Sequence, residues 1–454
     1  MNKEKPKEWY KLDLSANVYP TLQRRTFSSV YRLTVTLTNE VRPVILQQAL
    51  EMTLPRFPEF NVSLHTGLFW RYLEPESGPP PRVMKDVRNP CMPMKLNGHG
   101  SRLIRVYYYG CQISLEAFHS LSDGNGALLF IQTMTAVYLR LTGIVIPVGE
   151  GILDITETPP ADEMEDAYMK YANSGVTPGR IHEKTYRVRG TKEPFYTLNI
   201  IAGEMSVDDL KAAAHRFHAT ITEYLTSVLL YALQEDQARR QESYLLRPVK
   251  IALPVNLRPF FPTKTMRNFI TMMYPGIDPR LGTYTFEEII RQIHFYMQFS
   301  LNDKFLRADI TTNAQTQKNP FVRAAPLFVK DIIVRRFYKR VQDRQSSAGL
   351  TNLGVVQIPD EMRPWVRRVD AIMGQPFSAR TNCAVISYGN TTTVNFADSI
   401  VETDIERYFF RKLVQDHVHV TIRSNREGSM FCSEESSETS DHTAAGEDTK
   451  CHTV

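Results

Sequence analysis

The residues best suited to chemistry form one short run, His119-Ser-Leu-Ser-Asp123-Gly124. An imidazole with an ordinary pKa near about 6.5 accepts a proton at neutral pH, which is the work of a general base. An aspartate four residues later opens a helix well, because its carboxylate accepts from the first N–H groups. The glycine after it permits a tight turn or a close backbone approach. Taken alone, the run supports two accounts. One is a base presented into a cleft at the end of a strand. The other is a helix cap with an incidental histidine beside it.

The flanking residues supply elements that would position such a base. Residues 101–109 and 112–118 alternate and meet at Gly110, which reads as a hairpin ending just before His119. Beyond Gly126, apolar residues Leu128, Ile131, Met134, Tyr138 and Leu141 are spaced for one buried helix face. Upstream, 33–41 reads as a strand and 43–55 as a helix with Pro43 in its first turn. Residues 62–73 read as a strand broken at Gly67, followed by a proline-rich loop at 78–81. The stretch 150–197 reads as a crossover, with Pro159, Pro160 and Pro178-Gly179, and with Asp162, Glu163, Glu165 and Asp166 as a solvated face.

The second half restarts as a strand at 195–203, then a helix capped by Ser206 with Asp208 and Asp209 in its first turn. Thr220 and Glu223 have capping-box spacing for a helix through Leu233. A strand is expected at 249–254 and amphipathic helices at 286–301 and 319–344. Strands follow at 350–356, 367–373, 383–388 and 392–396, then a helix at 404–414 and a strand at 417–422. This predicts an α/β fold of two subdomains, 1–150 and 198–432, joined by a 151–197 linker, with the site at their seam. Residues 433–454 read as a disordered acidic tail.

Composition narrows the function classes. Of 454 residues, 42% are hydrophobic and 23% charged, which excludes a disordered chain, a collagen-like fibre or a coiled coil. The net charge of +5 is a body of +10 set against a tail of −5. A moderately basic body suits an anionic ligand and is too weak to argue for nucleic acid. Five cysteines without close spacing argue against a disulfide framework, so a cytoplasmic, reducing location is expected. The most apolar run, 127–148, is interrupted by Gln132, Thr133, Thr135 and Arg140, so no integral membrane segment is expected. Neither His215 with His218 nor His417 with His419 has the further ligands a metal would require. The helix around Val334-Arg-Arg-Phe-Tyr-Lys-Arg-Val341 is basic, and could meet phosphates, an acidic carrier protein or only solvent.

Two more segments join the histidine run: Leu253-Pro-Val-Asn-Leu-Arg258-Pro with Met266-Arg-Asn268-Phe, and Thr351-Asn352-Leu-Gly354. Together the three resemble the superfamily of CoA-dependent acyltransferases and peptide-synthetase condensation domains, most closely its alcohol acetyltransferase-like group. The resemblance runs from about Tyr10 to Asn425. It implies two chloramphenicol-acetyltransferase-like subdomains with a tunnel between them, the acyl donor entering from one face and the acceptor from the other. It implies His119 as general base and Asp123 turned away from substrate in a salt bridge to Arg258. Gly124 would keep the turn tight, Asn268 would lie near the donor, and Asn352 would lie in the segment closing the tunnel. The partners it implies are acyl-CoA as co-substrate and a small alcohol or amine acceptor, with no resident cofactor and a monomeric chain.

Phe118 stands where condensation domains and wax synthases commonly carry a second histidine, which favours simple acyl transfer. The plant-type Asp-Phe-Gly-Trp-Gly motif is absent, and Arg267 precedes Asn268 where many relatives have glycine. Two rivals remain on the sequence alone. A stand-alone condensation enzyme would take a carrier-protein thioester. A non-catalytic binding relative would have no need of the base.

Overall fold

Strand and helix alternate along both halves, as the alternating and 3.6-residue patterns require. The computed structural model describes residues 9–23, 28–87, 89–96, 100–176, 183–194, 197–240, 246–340, 345–374 and 381–426. The acidic tail and the Pro178-Gly179 turn lie outside them. The first half runs β1 (Tyr10–Lys11), α1 (Val18–Leu22), β2 (Val30–Leu37), α2 (Pro43–Thr53), β3 (Val62–Thr66) and β4 (Arg71–Pro75). It continues with β5 (Met84–Lys85), β6 (Ile104–Tyr109), β7 (Gln112–Phe118) and α3 (Gly124–Leu141). After α4 (Ala167–Tyr171) come β8 (Asn199–Ser206), α5 (Val207–His215), α6 (Ile221–Arg240), β9 (Val249–Asn256), β10 (Ile270–Met273) and β11 (Gly276–Ile277). Four helices follow, α7 (Phe286–Ser300), α8 (Asp303–Lys318), α9 (Pro320–Ala324) and α10 (Leu327–Arg340). The chain closes with β12 (Ala348–Val356), β13 (Val366–Ile372), β14 (Thr381–Tyr388), β15 (Thr391–Asp398), α11 (Asp404–Gln415) and β16 (Thr421–Ser424).

The sheet of the first half has the order β13-β2-β7-β6-β5. Its β13 comes from the second half and pairs antiparallel with β2, Val369 opposite Val35. The two halves therefore exchange a strand and are tied by backbone hydrogen bonds. The larger sheet has the order β10-β9-β12-β14-β15-β8-β16, with β11 beside β9. In it β12 runs parallel to both β9 and β14. A third sheet, β1-β4-β3, completes the first half.

Two main cores fill these layers. In the first, α2 and α3 cover the smaller sheet, and Phe130 of α3 stacks on Phe60 at 4.6 Å and meets Phe57 edge-on at 5.1 Å. In the second, α6 buries nearly all its faces, including Leu225, Val228, Leu229 and Leu233, as a central helix must. Alternation in β2 places Arg32, Thr34 and Thr36 on one face, yet every residue of β2 is buried. Pairing makes that tolerable for Arg32 and Thr34, while the Thr36 hydroxyl finds no partner among the described residues. Arg32 donates to Asp86 at 2.7 Å and Glu116 at 2.8 Å, and Thr34 shares a 2.9 Å bond with Ser114.

Most departures from the sequence reading have local causes. The helix expected over 319–344 is divided, because Pro320 opens α9 and Pro326 separates it from α10. The polar segment before it forms α8, capped by Asn302, whose side chain accepts from Phe305 N at 2.9 Å. The strand expected from 417 begins only at Thr421, because His417 takes φ 63° and Val418 N returns to Leu413 O as a left-handed cap on α11. The acidic crossover is not a solvated face throughout. Glu163 is buried and accepts two bonds from Arg56, at 2.6 and 2.9 Å. Burial pushes the Asp166 carboxyl up to about 6. The sequence reading failed there because the partner of Glu163 lies 107 positions away.

Candidate active site

The histidine run sits where β7 leaves the smaller sheet. His119 N donates to Ser29 O at 2.9 Å, which holds the first residue past the strand to its neighbour. The chain then turns into α3, with Asp123 as N-cap accepting from Asn125 N at 3.1 Å and Gly126 N at 3.3 Å. Ser122 Oγ donates to Met266 O at 2.5 Å, so the turn is fastened to the β9–β10 loop of the other half. That loop, residues 257–269, carries both Arg258 and Asn268. The site is therefore assembled across the seam.

Asp123 faces away from the imidazole. Its Oδ2 accepts from Arg258 Nη1 at 2.8 Å and from Phe269 N at 3.0 Å, while Oδ1 accepts from Arg258 Nη2 at 3.3 Å. The carboxylate is 2% exposed and the guanidinium 17%. Arg258 also donates to Thr265 O at 3.0 Å, Arg267 O at 2.7 Å and Asn256 Oδ1 at 3.2 Å. One ion pair thus holds both the helix start and the loop, and both oxygens of Asp123 are engaged by these bonds.

Asn268 engages the histidine directly. Its amide nitrogen donates to Asp13 Oδ2 and to His119 O, both at 3.0 Å, so its oxygen is the atom 3.1 Å from His119 Nδ1. An amide oxygen only accepts, so Nδ1 carries the proton and Nε2 keeps its lone pair. Both ends of the Asn268 amide are thus engaged, by Asp13 and by His119. Asp13 is itself fixed, accepting from Ser15 Oγ at 2.9 Å and Ala16 N at 2.8 Å.

Two tyrosines fix the plane of the ring. Tyr19 of α1 stacks on it at 4.6 Å and 18°, and Tyr31 of β2 lies at 5.0 Å with its hydroxyl donating to Ser122 O and Asp123 O, both at 3.0 Å. Burial lowers the His119 pKa below its ordinary 6.5, opposed by the bond to Asn268 and by the charge of Asp123. The imidazole is accordingly neutral at pH 7, the form a base requires.

The glycines differ in what they admit. A Cβ on Gly124 would meet the tip of the Leu353 side chain, whereas one on Gly126 would run into the Met266 carbonyl and the Ser122 hydroxyl. Gly126 is therefore the more constrained, although Gly124 is the one in the motif. Asn352 lies on β12, where pairing with β14 slips between Asn352 and Val355. Its amide donates to Thr222 Oγ1 at 2.9 Å and accepts from Gly354 N at 2.9 Å. The neighbouring Leu353 side chain lies against Gly124 in the turn after His119. Asp13, Tyr19, Tyr31 and Gly126 were not singled out from sequence, and only the tyrosine on alternating β2 had a signal to follow. A cavity of about 230 Å³ lined by Pro93, Met94, Lys95, Arg102 and Arg105 shares no residue with this site. Among the described residues no cluster of three or more histidine, cysteine or carboxylate side chains is placed to hold a metal ion.

No protein-family model matches the chain, and no curated protein matches it. Solved structures do. Fusarium sporotrichioides TRI101 complexed with coenzyme A and T-2 aligns with a TM-score of 0.60 at 12% identity, over 92% of this chain and 100% of that one. The fold is the chloramphenicol acetyltransferase-like fold of CoA-dependent acyltransferases and condensation domains. The TRI3 trichothecene 15-O-acetyltransferase of the same organism aligns at 0.53 and 13% identity, over 90% of this chain and 94% of that one. The starter condensation domain of rhizomide synthetase, in complex with C8-CoA and Leu-SNAC, aligns at 0.55 and 11%, again over 90% and 94%. At these identities the likeness is one of fold, and it covers both subdomains.

Proposed function

We propose that the protein transfers an acyl group from acyl-CoA to an alcohol acceptor, with His119 as general base. The observation that carries the reading is the tautomer: Asn268 accepts the Nδ1 proton, so Nε2 is left as the free lone pair of a neutral, ring-stacked imidazole at the seam. In this reading Nε2 takes the proton of the acceptor hydroxyl as its oxygen attacks the thioester carbonyl. A C–O bond forms, the carbonyl oxygen becomes an oxyanion, and collapse breaks the C–S bond. The departing thiolate takes the proton back from Nε2. A thioester is already activated, so the chemistry needs no covalent enzyme intermediate and no resident cofactor. Holding donor and acceptor at one base supplies much of the acceleration. Support for the donor class comes from the fold, since neighbours with coenzyme A or C8-CoA share it over nine-tenths of this chain.

The test is mass-spectrometric detection of product from purified protein and a His119→Ala variant, given acetyl- to long-chain acyl-CoA with pooled alcohols and amines. Ester made by the wild type and reduced about 10²- to 10⁴-fold in the variant is the expected result. Product only from carrier-protein thioesters would replace the donor with that of a condensation enzyme. Product formed equally by both proteins would remove His119 from the mechanism.

A further inference from the structure

The stretch 320–340, which holds α9 and α10, carries six bases and one acid. The acid, Asp331, is occupied, accepting from Arg71 Nη2 at 2.5 Å and Thr21 Oγ1 at 2.9 Å. Between the bases stand bulky apolar side chains turned outward: Phe321 is 87% exposed, Phe328 65%, Ile333 60% and Ile332 50%. The tip of the β3–β4 hairpin extends this surface, because Leu327 N donates to Leu68 O at 2.8 Å and Lys330 Nζ to Phe69 O at 2.8 Å. There Leu68 and Trp70 are also more than half exposed. A soluble helix normally turns polar residues outward, so a contiguous outward face of this kind marks a binding surface.

We propose that α9, α10 and the β3–β4 tip dock the protein onto an anionic lipid surface. The apolar side chains would enter the headgroup–acyl boundary while Arg323, Arg336 and Arg340 meet lipid phosphates. Charge decides between occupants. A second copy joined through the same patch would set Arg323, Arg336 and Arg340 against their own counterparts. An acidic carrier protein would match the bases but leave Phe321 and Phe328 without apolar cover. An anionic bilayer satisfies both components. The placement also has a consequence for the site, which rests on the proposed function. The inner side of α10 packs on α1, with Arg335 Nε donating to Thr21 O at 2.8 Å, and Tyr19 of α1 stacks on His119. The base is thus one helix layer from the docked face, and substrates dissolved in the bilayer would have a short path to it.

The test uses the full-length chain with vesicles of phosphatidylcholine, with and without phosphatidylserine, in a flotation assay. The wild type should float with the anionic vesicles and be released by high salt. Phe328→Ser with Ile332→Ser should reduce partitioning at least about tenfold, and Arg336→Gln and Arg340→Gln about fivefold each. Leu281→Ser, at an 81% exposed leucine outside the patch, should change nothing, and circular dichroism confirms that each variant is folded. Trp70 emission should shift to the blue on binding, and this readout does not depend on any enzymatic activity. No flotation with anionic vesicles, or an equal loss in Leu281→Ser, overturns the proposal. So does a wild-type dimer in light scattering that Phe328→Ser dissociates, or capture of an acidic carrier protein by a chain that ignores lipid.

Discussion

Replacing Arg258 with methionine tests whether one ion pair holds the two halves of the site together. The substitution keeps the aliphatic stem and removes every bond the guanidinium makes. Asp123 is left 2% exposed with three backbone donors, Asn125 N, Gly126 N and Phe269 N. Breaking a buried pair from one side costs about 3–5 kcal/mol, because the remaining charge is uncompensated. The surviving N–H bonds and the 17% exposure of Arg258 place this case at the lower end, about 3 kcal/mol. Urea denaturation at pH 7 measures it through the shift in midpoint at constant slope. Asp123→Asn should cost a similar amount, since Arg258 then sits among neutral acceptors only. The double variant should be less destabilised than the sum of the two by about 2 kcal/mol, the coupling of a shared pair. Turnover should fall further than stability requires, because Arg258 also fixes Arg267 O, adjacent to Asn268. A single-variant cost below about 1 kcal/mol, or additive losses in the double variant, would refute the argument that this pair fastens the seam.

Four further outcomes follow from the geometry. His119 titrates below its ordinary value because of burial, so the acid limb of the kcat/KM profile should lie below pH 6.5; Asn268→Asp puts a carboxylate at Nδ1, favours the imidazolium and should move that limb to higher pH. Asn268→Ala should lower kcat about tenfold with KM little changed, because it frees the tautomer and leaves the binding surfaces alone. Glu59 is buried, and burial pushes it up to about 8 from 4.5. Folding must therefore supply a proton between those values, and Glu59→Gln should gain stability over the wild type by about 1.4 kcal/mol per pH unit from 4.5 up to 8, then level off. Thermal melts across that range check the slope, and a pH-independent difference would show that Glu59 is ionised in the folded protein. Gly126→Ala should lower stability more than Gly124→Ala in the same melts, because a carbonyl oxygen cannot move aside as the Leu353 side chain can.

How much of this was legible beforehand follows from the range of each signal. The turn chemistry was local and therefore visible: Ser206 caps α5, and Thr220 with Glu223 makes both bonds of its capping box. The hairpin before His119 and the apolar stripe of α3 were likewise readable, since each pattern lies within a few residues. The exchanged β13 was not, because alternation marks a strand and does not say which sheet it joins. Asp13 left no trace for the same reason. A lone acid before a short helix has no local pattern, and its meaning depends on Asn268, 255 positions away. The burial of Glu163 and of the polar face of β2 also depends on distant partners, where a sequence window reports only polarity.

That division has a consequence for how the site behaves. His119 and its cap come from one half, while the amide that accepts its Nδ1 proton and the guanidinium that pairs with its cap come from the other. Neither half alone would present a base with Nδ1 protonated, since the acceptor for that proton is Asn268. Any change that opens the seam by about 1 Å should therefore reduce turnover before it unfolds the protein, because a hydrogen bond of 3.1 Å does not survive that displacement, whereas each core of packed side chains does. Mild denaturant should separate the two events. Loss of ester formation at urea concentrations where far-ultraviolet dichroism is still native would place the weak point at the seam. Coincident loss of both would mean that the exchanged β13 makes the halves one cooperative unit, and that the seam is as strong as the cores it joins.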